Sequence, residues 1–351
     1  MHPTPRPSLL RLHCLLPFAL ASAALAQTTP PAEPALRLAD LVVTPSWFRL
    51  SNEGDGSAST LTQEELQARP QIGEDLFRSI SHLPGVTADD YSAKFWVRGA
   101  PQRQLLVRLD GADLLEPFHL KDVDGALSII DLRAIRRLDL MTGGFNADYG
   151  NRAAAVLTME TVTPAGPRNA YSAGLSVTGL RADAAGTFAG GDGRWFASVR
   201  RGYPDLALKL EDREEKIYPR YWDAYGKVEL SLTPSHLLSF HALHAADELR
   251  VDDNNAPDLR SSYDSDTLWL RLRSTWSPRL TSETVLAQSW LAWRRDGAGI
   301  YGTRDRLDLR DRRSLASTDL RQDWQWRGEA VLLRTGWTAA GADARYSYHL
   351  L

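Results

Sequence analysis

The chain has 351 residues, a formal net charge of -3 and a mean hydropathy of -0.33. A mild acidic balance argues against nucleic-acid binding, which requires a clustered basic surface, so we expect no nucleic-acid partner. Beyond the N-terminus no apolar run approaches the roughly 18 residues that a membrane helix needs. A helical membrane protein is thereby excluded, whereas a membrane β-barrel is not, because its strands alternate apolar and polar side chains.

Residues 1–26 have the pattern of a secretory signal peptide. Two arginines precede an apolar run at 15–23, which leads into the small-residue signature Ala24-Leu25-Ala26. The pattern predicts cleavage after this signature, and the run is too short for a retained membrane anchor. The segment also carries the only cysteine, Cys14, so we expect neither disulfides nor thiolate sites in the mature protein.

Residues 27–45 form a proline-rich segment that cannot build a core and is typical of a flexible tether. The segment ends in the β-prone run Asp40-Leu41-Val42-Val43-Thr44, which Pro45 stops. Taken alone, so short a run is more typical of an ordinary edge strand than of a binding segment.

Residues 46–163 are predicted to form a compact α+β domain of ordinary size. Thr62-Gln63-Glu64-Glu65 has the form of a capping box at a first short helix, which Pro70 ends. A second, amphipathic helix is predicted from the apolar positions Ile72, Leu76, Ile80 and Leu83. Strands are predicted at 95–97, 105–109, 135–141 and 155–159, the second of them half-buried, with its odd-numbered residues on one face.

Short glycine-containing motifs recur at fixed spacings within this domain. They are Val97-Arg98-Gly99, Leu109-Asp110-Gly111, Thr142-Gly143-Gly144 and Asp148-Tyr149-Gly150. Each is ordinary turn chemistry by itself. In register with Leu83-Pro84-Gly85, the set resembles the plug of TonB-dependent outer-membrane receptors. The resemblance implies a transporter without a cofactor, not an enzyme, whose plug lies in an antiparallel barrel of about 22 strands.

The resemblance also implies partners and site residues. It marks the run Asp40 to Thr44 as a TonB box, which the TonB energy-coupling protein would capture by β-augmentation. It places ligand loops near 87–94 and 114–125, and the candidate ligand contacts there are Asp89, Tyr91, Lys94, Phe118, His119 and Lys121. The expected ligand is a scarce small molecule, by default a metal chelate of the ferric siderophore class, with a vitamin, an oligosaccharide or a peptide left open.

Two further expectations concern how the plug would fit its barrel. Arg98 is expected to be buried and to find carboxylate partners on the barrel wall. The motif glycines are expected to have positive φ angles or to approach another wall closely.

Residues 164–351 alternate apolar and polar side chains as transmembrane β-strands do. The pattern predicts strands at 171–178, 195–200, 225–232, 237–244, 267–276, 283–293, 317–326 and 330–337. At roughly 20 residues per strand with its turn, the segment provides about eight to ten strands, an incomplete barrel. We therefore interpret the chain as a truncated receptor of a Gram-negative-type outer membrane, in contact with outer-membrane lipid.

Other functional classes stay open at this level. A passive porin-like or adhesin-like barrel would show the same alternation, and a nonfunctional receptor fragment would show the same motifs. A metal site is not predicted, because His241 and His244 would lie on opposite faces of one strand. The acidic run at 252–255 lacks the further ligands of a calcium loop.

Overall fold

The computed structural model describes residues 58–69, 74–89, 92–145, 148–150, 152–164, 169–176, 179–203, 217–252, 258–301 and 305–350. The predicted signal peptide, the tether and the run Asp40 to Thr44 lie outside these residues. Within them, no helix combines the length and the hydropathy that crossing a bilayer requires.

The described part of the N-terminal domain contains two short α-helices, α1 at Gln63–Ala68 and α2 at Leu76–Ser79. Its strands are β1 Ala58–Thr62, β2 Val86–Ala88, β3 Phe95–Val97, β4 Leu105–Leu109, β5 Ala112–Asp113, β6 Phe118–His119, β7 Leu127–Ser128, β8 Ile135–Met141 and β9 Ala155–Thr161. Five of these strands form one mixed sheet in the order β1-β8-β9-β4-β5, in which β4 runs parallel to β9.

Both helices begin where the sequence provides a side-chain cap. Thr62 accepts a hydrogen bond from the Glu65 amide, and the Glu65 carboxylate accepts one from the Thr62 amide, so the predicted capping box is present. Asp75 caps α2 by accepting hydrogen bonds from the amides of Phe77 and Arg78 at 2.9 and 3.0 Å. The second helix therefore begins just after Asp75, while the predicted early part near residue 72 lies outside the described residues.

The core of this domain lies between the helices and the five-stranded sheet. Strands are present at all four predicted positions, and Leu138 and Leu140 of β8 are fully buried. β4 is buried on both faces, because Leu106 packs with Tyr149 in a second apolar cluster on the side away from the main core. The prediction of a half-buried strand was therefore wrong at β4.

The C-terminal part is a nine-stranded antiparallel sheet in which each strand pairs with its neighbours in sequence. Its strands are β10 Ala170–Leu175, β11 Gly179–Phe188, β12 Gly193–Gly202, β13 Ile217–Thr233, β14 His236–Val251, β15 Asp258–Ser277, β16 Leu280–Tyr301, β17 Asp305–Arg327 and β18 Leu332–Leu350. Eight of them overlap a predicted run. β11 was missed because alanine and glycine carry much of its alternation, which leaves a weak hydropathy signal.

The two ends of this sheet differ in their connections. A two-residue turn at 234–235 joins β13 to β14, whereas 203–216 join β12 to β13 at the opposite end. We call these the turn end and the loop end.

Side chains of the sheet alternate between the face that packs on the N-terminal domain and an outward face. In β15, Trp269 and Arg271 are 1% and 9% exposed, while Leu268 and Leu270 are 39% and 42% exposed. Because strand side chains alternate with period two, this is the predicted apolar-out, polar-in arrangement.

The turn Asp110-Gly111 brings the N-terminal domain into close contact with the sheet. Both residues have positive φ, 42° and 92°, as the Asp-Gly hairpin turn requires. A Cβ on Gly111 would lie only 3.1 Å from Cγ2 of Val285 in β16. Among the other motif glycines, Gly99 and Gly144 also have positive φ.

Gly111→Ala should destabilise the folded chain by about 1–3 kcal/mol, because a side chain there meets both an unfavourable φ and the sheet. Gly150→Ala is the matched control, since a Cβ at Gly150 has no atom within 4 Å. Urea unfolding of the detergent-solubilised chain, followed by tryptophan fluorescence, measures both variants. Equal unfolding midpoints would contradict the close approach.

Candidate functional site

A buried carboxylate of the N-terminal domain, Asp110, faces the middle of the sheet. Its Oδ2 accepts hydrogen bonds from the Tyr225 hydroxyl at 2.9 Å and from the Thr161 hydroxyl. Arg271 Nη1 lies 4.0 Å from its Oδ1, and the Trp269 indole donates to its carbonyl oxygen at 3.3 Å. Three side chains of the sheet thus hold one turn of the domain.

The charge of Asp110 is fixed by its surroundings. Burial by itself would raise the pKa of Asp110, but the positive charges of Lys227 and Arg271 and the contact with His241 outweigh burial. They hold the pKa of this carboxyl well below its usual range. Asp110 therefore remains ionised at physiological pH, although it is only 5% exposed.

A seam of alternating charges continues from this carboxylate across the sheet. Arg271 donates two hydrogen bonds to Glu283 Oε2, at 2.8 and 2.5 Å, and Arg321 Nη2 donates to Glu283 Oε1 at 3.3 Å. Arg321 also lies 3.7 Å from Asp113, which accepts a hydrogen bond from Arg108 at 2.6 Å. The order along the seam is Arg108, Asp113, Arg321, Glu283, Arg271 and Asp110.

A second anchor lies nearer the loop end, where His119 of β6 sits between two carboxylates of the sheet. Its Nδ1 is 2.5 Å from Asp247 Oδ1, and its Nε2 is 3.0 Å from Asp223 Oδ2. A neutral imidazole has only one N–H, so donation to both carboxylates requires the imidazolium ion. We call His119, Asp223 and Asp247 the histidine clasp.

The clasp is electrically balanced. Burial by itself would lower the pKa of His119, but attraction to Asp247 and hydrogen bonds with Asp223 and Asp247 outweigh it and raise the pKa. Arg200 donates to Asp223 at 2.9 Å and to the Ser128 carbonyl oxygen at 2.5 Å. Two cations therefore oppose the two carboxylates.

The two predicted ligand loops do meet. The Ala93 amide donates to the Gly125 carbonyl oxygen at 3.0 Å, and Lys94 Nζ lies 2.5 Å from Asp124 Oδ1. Asp89 is exposed beside this contact. Tyr91 lies outside the described residues.

Lys121 lies in the same region, with Nζ 3.8 Å from the centroid of the Tyr263 ring and in an ion pair with Glu116. Burial lowers the pKa of Lys121 to about 7, with Asp247 opposing the shift and Lys94 adding to it. The side chain therefore titrates near physiological pH.

Phe118 and His119 lie in the interior instead of facing solvent. The Phe118 ring packs on Phe77 with centroids 5.2 Å apart, and His119 is fully buried in the clasp. Both belong to β6, which pairs with β7 and alternates its side chains between the domain core and the sheet. In this structure neither is open to a ligand: Phe118 packs within the N-terminal domain, and His119 joins that domain to the sheet.

Arg98 differs from the sequence expectation. The residue is exposed, and its Nη2 donates to the Thr142 hydroxyl at 3.2 Å. Among the described residues it makes no ion pair with a carboxylate of the sheet. The expectation of a buried arginine held by wall acids was wrong, because the Arg98 side chain lies against Thr142 and Gly143 of its own domain.

The remaining motif residues have structural surroundings. Tyr149 is 9% exposed and lies under the guanidinium of Arg108, 5.2 Å from its ring centroid. A Cβ on Gly143 would lie 3.0 Å from Arg98 Nη1. These residues support the turns next to the seam.

The two histidines of β14 do point to opposite faces. His241 stacks on Trp269 inside the sheet, with centroids 4.7 Å apart, whereas His244 pairs with Asp266 on the outward face at 2.7 Å. Across the described residues, no group of three potential ligands could hold a metal ion.

The partners of Asp110 and His119 on the sheet were not evident from the sequence. The partners are residues at inward strand positions, so alternation alone would place their side chains on the inward face of the sheet. Which of them meets which residue of the N-terminal domain depends on register between segments more than 100 residues apart, for example Asp110 and Tyr225.

An α+β domain anchored by buried charges to the inner face of an apolar-out antiparallel sheet is the arrangement expected of a plugged membrane barrel. Residues 51–157 match the family model described as TonB-dependent Receptor Plug Domain. These residues therefore form a TonB-dependent receptor plug domain, and antiparallel β-strands follow it in the chain. No curated protein matches it.

Solved structures of such receptors share the fold at low identity. A mutant of the ferric enterobactin receptor from Pseudomonas aeruginosa is 15% identical, with a TM-score of 0.54, and the match covers 85% of this chain and 59% of that one. The copper transporter OprC is 14% identical with a TM-score of 0.64, covering 83% and 46%. P. aeruginosa FpvA, bound to a heterologous pyoverdine with iron, is 13% identical with a TM-score of 0.55, covering 85% and 43%. The chain spans about half the length of these structures.

Asp110→Asn should destabilise the folded chain by about 3–5 kcal/mol, because it leaves buried cations of the sheet without their countercharge. Asp124→Asn is the matched control: Asp124 is 65% exposed, and loss of such a surface pair costs about 0–1 kcal/mol. Urea unfolding measures both variants. Equal losses would contradict the anchoring role of Asp110.

The histidine clasp should weaken as pH rises. The pKa of His119 is higher in the folded chain than in the unfolded chain, where it is about 6.5. The imidazolium therefore stabilises the folded chain fully below pH 6.5, and this stabilisation is lost as pH rises through the folded-state pKa. The folded-state pKa of Lys121 is lowered, so titration of Lys121 makes the folded chain more stable as pH rises. The stability of the chain is therefore measured in the Lys121→Met variant, which lacks this opposing effect. Urea midpoints between about pH 5.5 and 9 should fall with pH in that background.

Adding His119→Gln to the Lys121→Met background should remove most of this fall in the urea midpoint, because glutamine carries no titrating charge. Equal pH slopes with and without His119 would show that the clasp does not depend on the imidazolium.

Proposed function

We propose that this protein is an outer-membrane receptor that imports a scarce ligand with energy delivered through TonB. The observation that carries the proposal is the anchoring of the plug at two levels, by Asp110 and by the histidine clasp. A passive channel needs an open lumen, whereas an anchored plug blocks passage until work displaces it.

The work required is of a size that a proton gradient can supply. Removing one partner of a buried ion pair costs about 3–5 kcal/mol, and separated ions regain hydration, so roughly 6–10 kcal/mol is an upper limit for releasing two anchors. Moving one charge across a membrane releases about 2.3 kcal/mol per 100 mV. A few protons per transport event would therefore be sufficient to release both anchors.

TonB is proposed to pull on the segment Asp40 to Thr44. Capture of a short extended segment as an added strand uses backbone hydrogen bonds and makes few demands on side chains, which fits a β-prone run after a proline-rich tether. Force on this segment would reach the plug through β1, the first described strand, which pairs with β8 of the plug sheet.

The imported ligand is proposed to be a ferric siderophore. Two of the three similar structures described above are named for iron chelates, as a ferric enterobactin receptor and as a complex with a pyoverdine and iron, and the third is a copper transporter. The proposed contacts are Asp89, Tyr91, Lys94 and Lys121, of which the two lysines suit an anionic chelate.

Deleting residues 40–44 should abolish energised uptake and leave ligand binding at the cell surface intact, because the deletion removes the coupling segment alone. Deleting residues 29–33 of the tether is the matched control and should retain uptake. The measurement is accumulation of ⁵⁵Fe-enterobactin, ⁵⁵Fe-pyoverdine and ⁶⁴Cu by cells, against binding to de-energised cells. Unchanged uptake after deletion of 40–44 would instead support a passive barrel.

A further inference from the structure

An arginine-rich surface lies on the outward face of the sheet near the loop end. It consists of two successive cross-strand rows. The first contains Arg220, Glu248, Ser262, Arg294 and Arg312, and the second contains Arg250, Arg260, Asp296 and Arg310. Six arginines and two carboxylates share this surface, which we call the arginine belt. Side chains of the belt point away from the plug, so they take no part in anchoring it.

The belt borders the apolar outward band of the sheet. Large apolar side chains nearer the turn end are 39–45% exposed, namely Phe240, Leu268, Leu270 and Leu286. Trp222 and Trp290, 40% and 42% exposed, separate this band from the belt. An apolar band flanked by aromatic residues is the lipid-facing pattern of membrane barrels. Side chains just beyond the aromatic residues therefore lie at the level of lipid headgroups.

Two pairs of arginines in the belt face each other directly across neighbouring strands. Arg250 of β14 lies opposite Arg260 of β15, and Arg294 of β16 lies opposite Arg312 of β17. Like charges in directly opposite positions destabilise a sheet. An anion bound between them would remove this repulsion, and guanidinium groups hold phosphate oxygens through paired, charge-assisted hydrogen bonds.

Carboxylates on this face neutralise part of the positive charge. Arg312 donates to both oxygens of Asp296, at 2.7 and 2.8 Å. Arg260 has no ion pair within the part of the chain that the structure describes. Longer ion pairs join Arg294 to Asp264 at 3.8 Å, Arg250 to Asp252 at 3.3 Å and Arg310 to Asp308 at 3.6 Å.

The belt includes a concave surface. A concavity of about 510 Å³ is lined by Arg201, Arg220, Arg260 and Arg294 and by the carboxylates of Asp247, Glu248 and Asp296, with Trp222 also in its lining. An amphiphilic molecule lying there would place its acyl chains on the band and its headgroup against four arginines.

We propose that the arginine belt binds the phosphorylated headgroup of a lipid in the leaflet at the loop end. Membrane barrels have short periplasmic turns and longer extracellular loops, so the loop end faces the outside and this leaflet is the outer one. The phosphates bridge the facing arginine pairs and fix the height of the sheet in the membrane. Headgroup contact depends on the outer-membrane location proposed above and not on the identity of the imported ligand.

The test is the affinity of the detergent-solubilised chain for fluorescently labelled lipid A, a bisphosphorylated glycolipid, measured by anisotropy in mixed micelles. Arg260→Gln with Arg294→Gln removes one member of each facing pair and should weaken binding about tenfold. The matched control, Arg194→Gln with Arg279→Gln, makes the same change of charge at the turn end and should bind like the unmodified chain. Arg260→Lys with Arg294→Lys should retain most of the affinity.

Three results would overturn the proposal: equal affinities for the two glutamine pairs, equal affinity for lipid A stripped of its phosphates, or full displacement of lipid A by millimolar inorganic phosphate. The last result would identify a site for the free anion. Urea midpoints of both glutamine pairs, compared with the unmodified chain, show whether each variant is folded.

Discussion

The structure depends on the burial of opposite charges between the plug and the sheet. Apolar contacts such as Gly111 against Val285 bring the two parts close, but apolar contact is not directional. A buried carboxylate such as Asp110 is tolerated only where cations and hydrogen-bond donors meet it, so it accepts few orientations of the plug. The histidine clasp adds a second fixed point nearer the loop end.

The same charges that hold the plug also make it releasable. A buried ion pair is costly to break one partner at a time, yet its net contribution is small, because separated ions regain their hydration. A plug held mainly by apolar burial would have no such compensation when water enters the seam. Under the proposed function, anchors of this kind would hold the plug at rest and release it when a partner pulls.

The two faces of the sheet carry different sets of functional side chains. Inward positions carry the seam and the clasp, while outward positions carry the apolar band and the arginine belt, and strand alternation keeps the two sets apart. Residues adjacent in sequence therefore serve different surroundings, as Trp269 under Asp110 and Leu268 on the outward band illustrate.

The sequence by itself determined the elements whose signals are local. The capping box at Thr62, the Asp110-Gly111 turn and the alternation of Leu268 and Trp269 each depend on residues close together in the chain. It did not reveal β11, where small residues weaken the alternation, nor the burial of His119. Only the tertiary structure decided that Arg98 stays exposed and that Asp110 and His119 meet the sheet, because such pairings depend on contacts between distant segments.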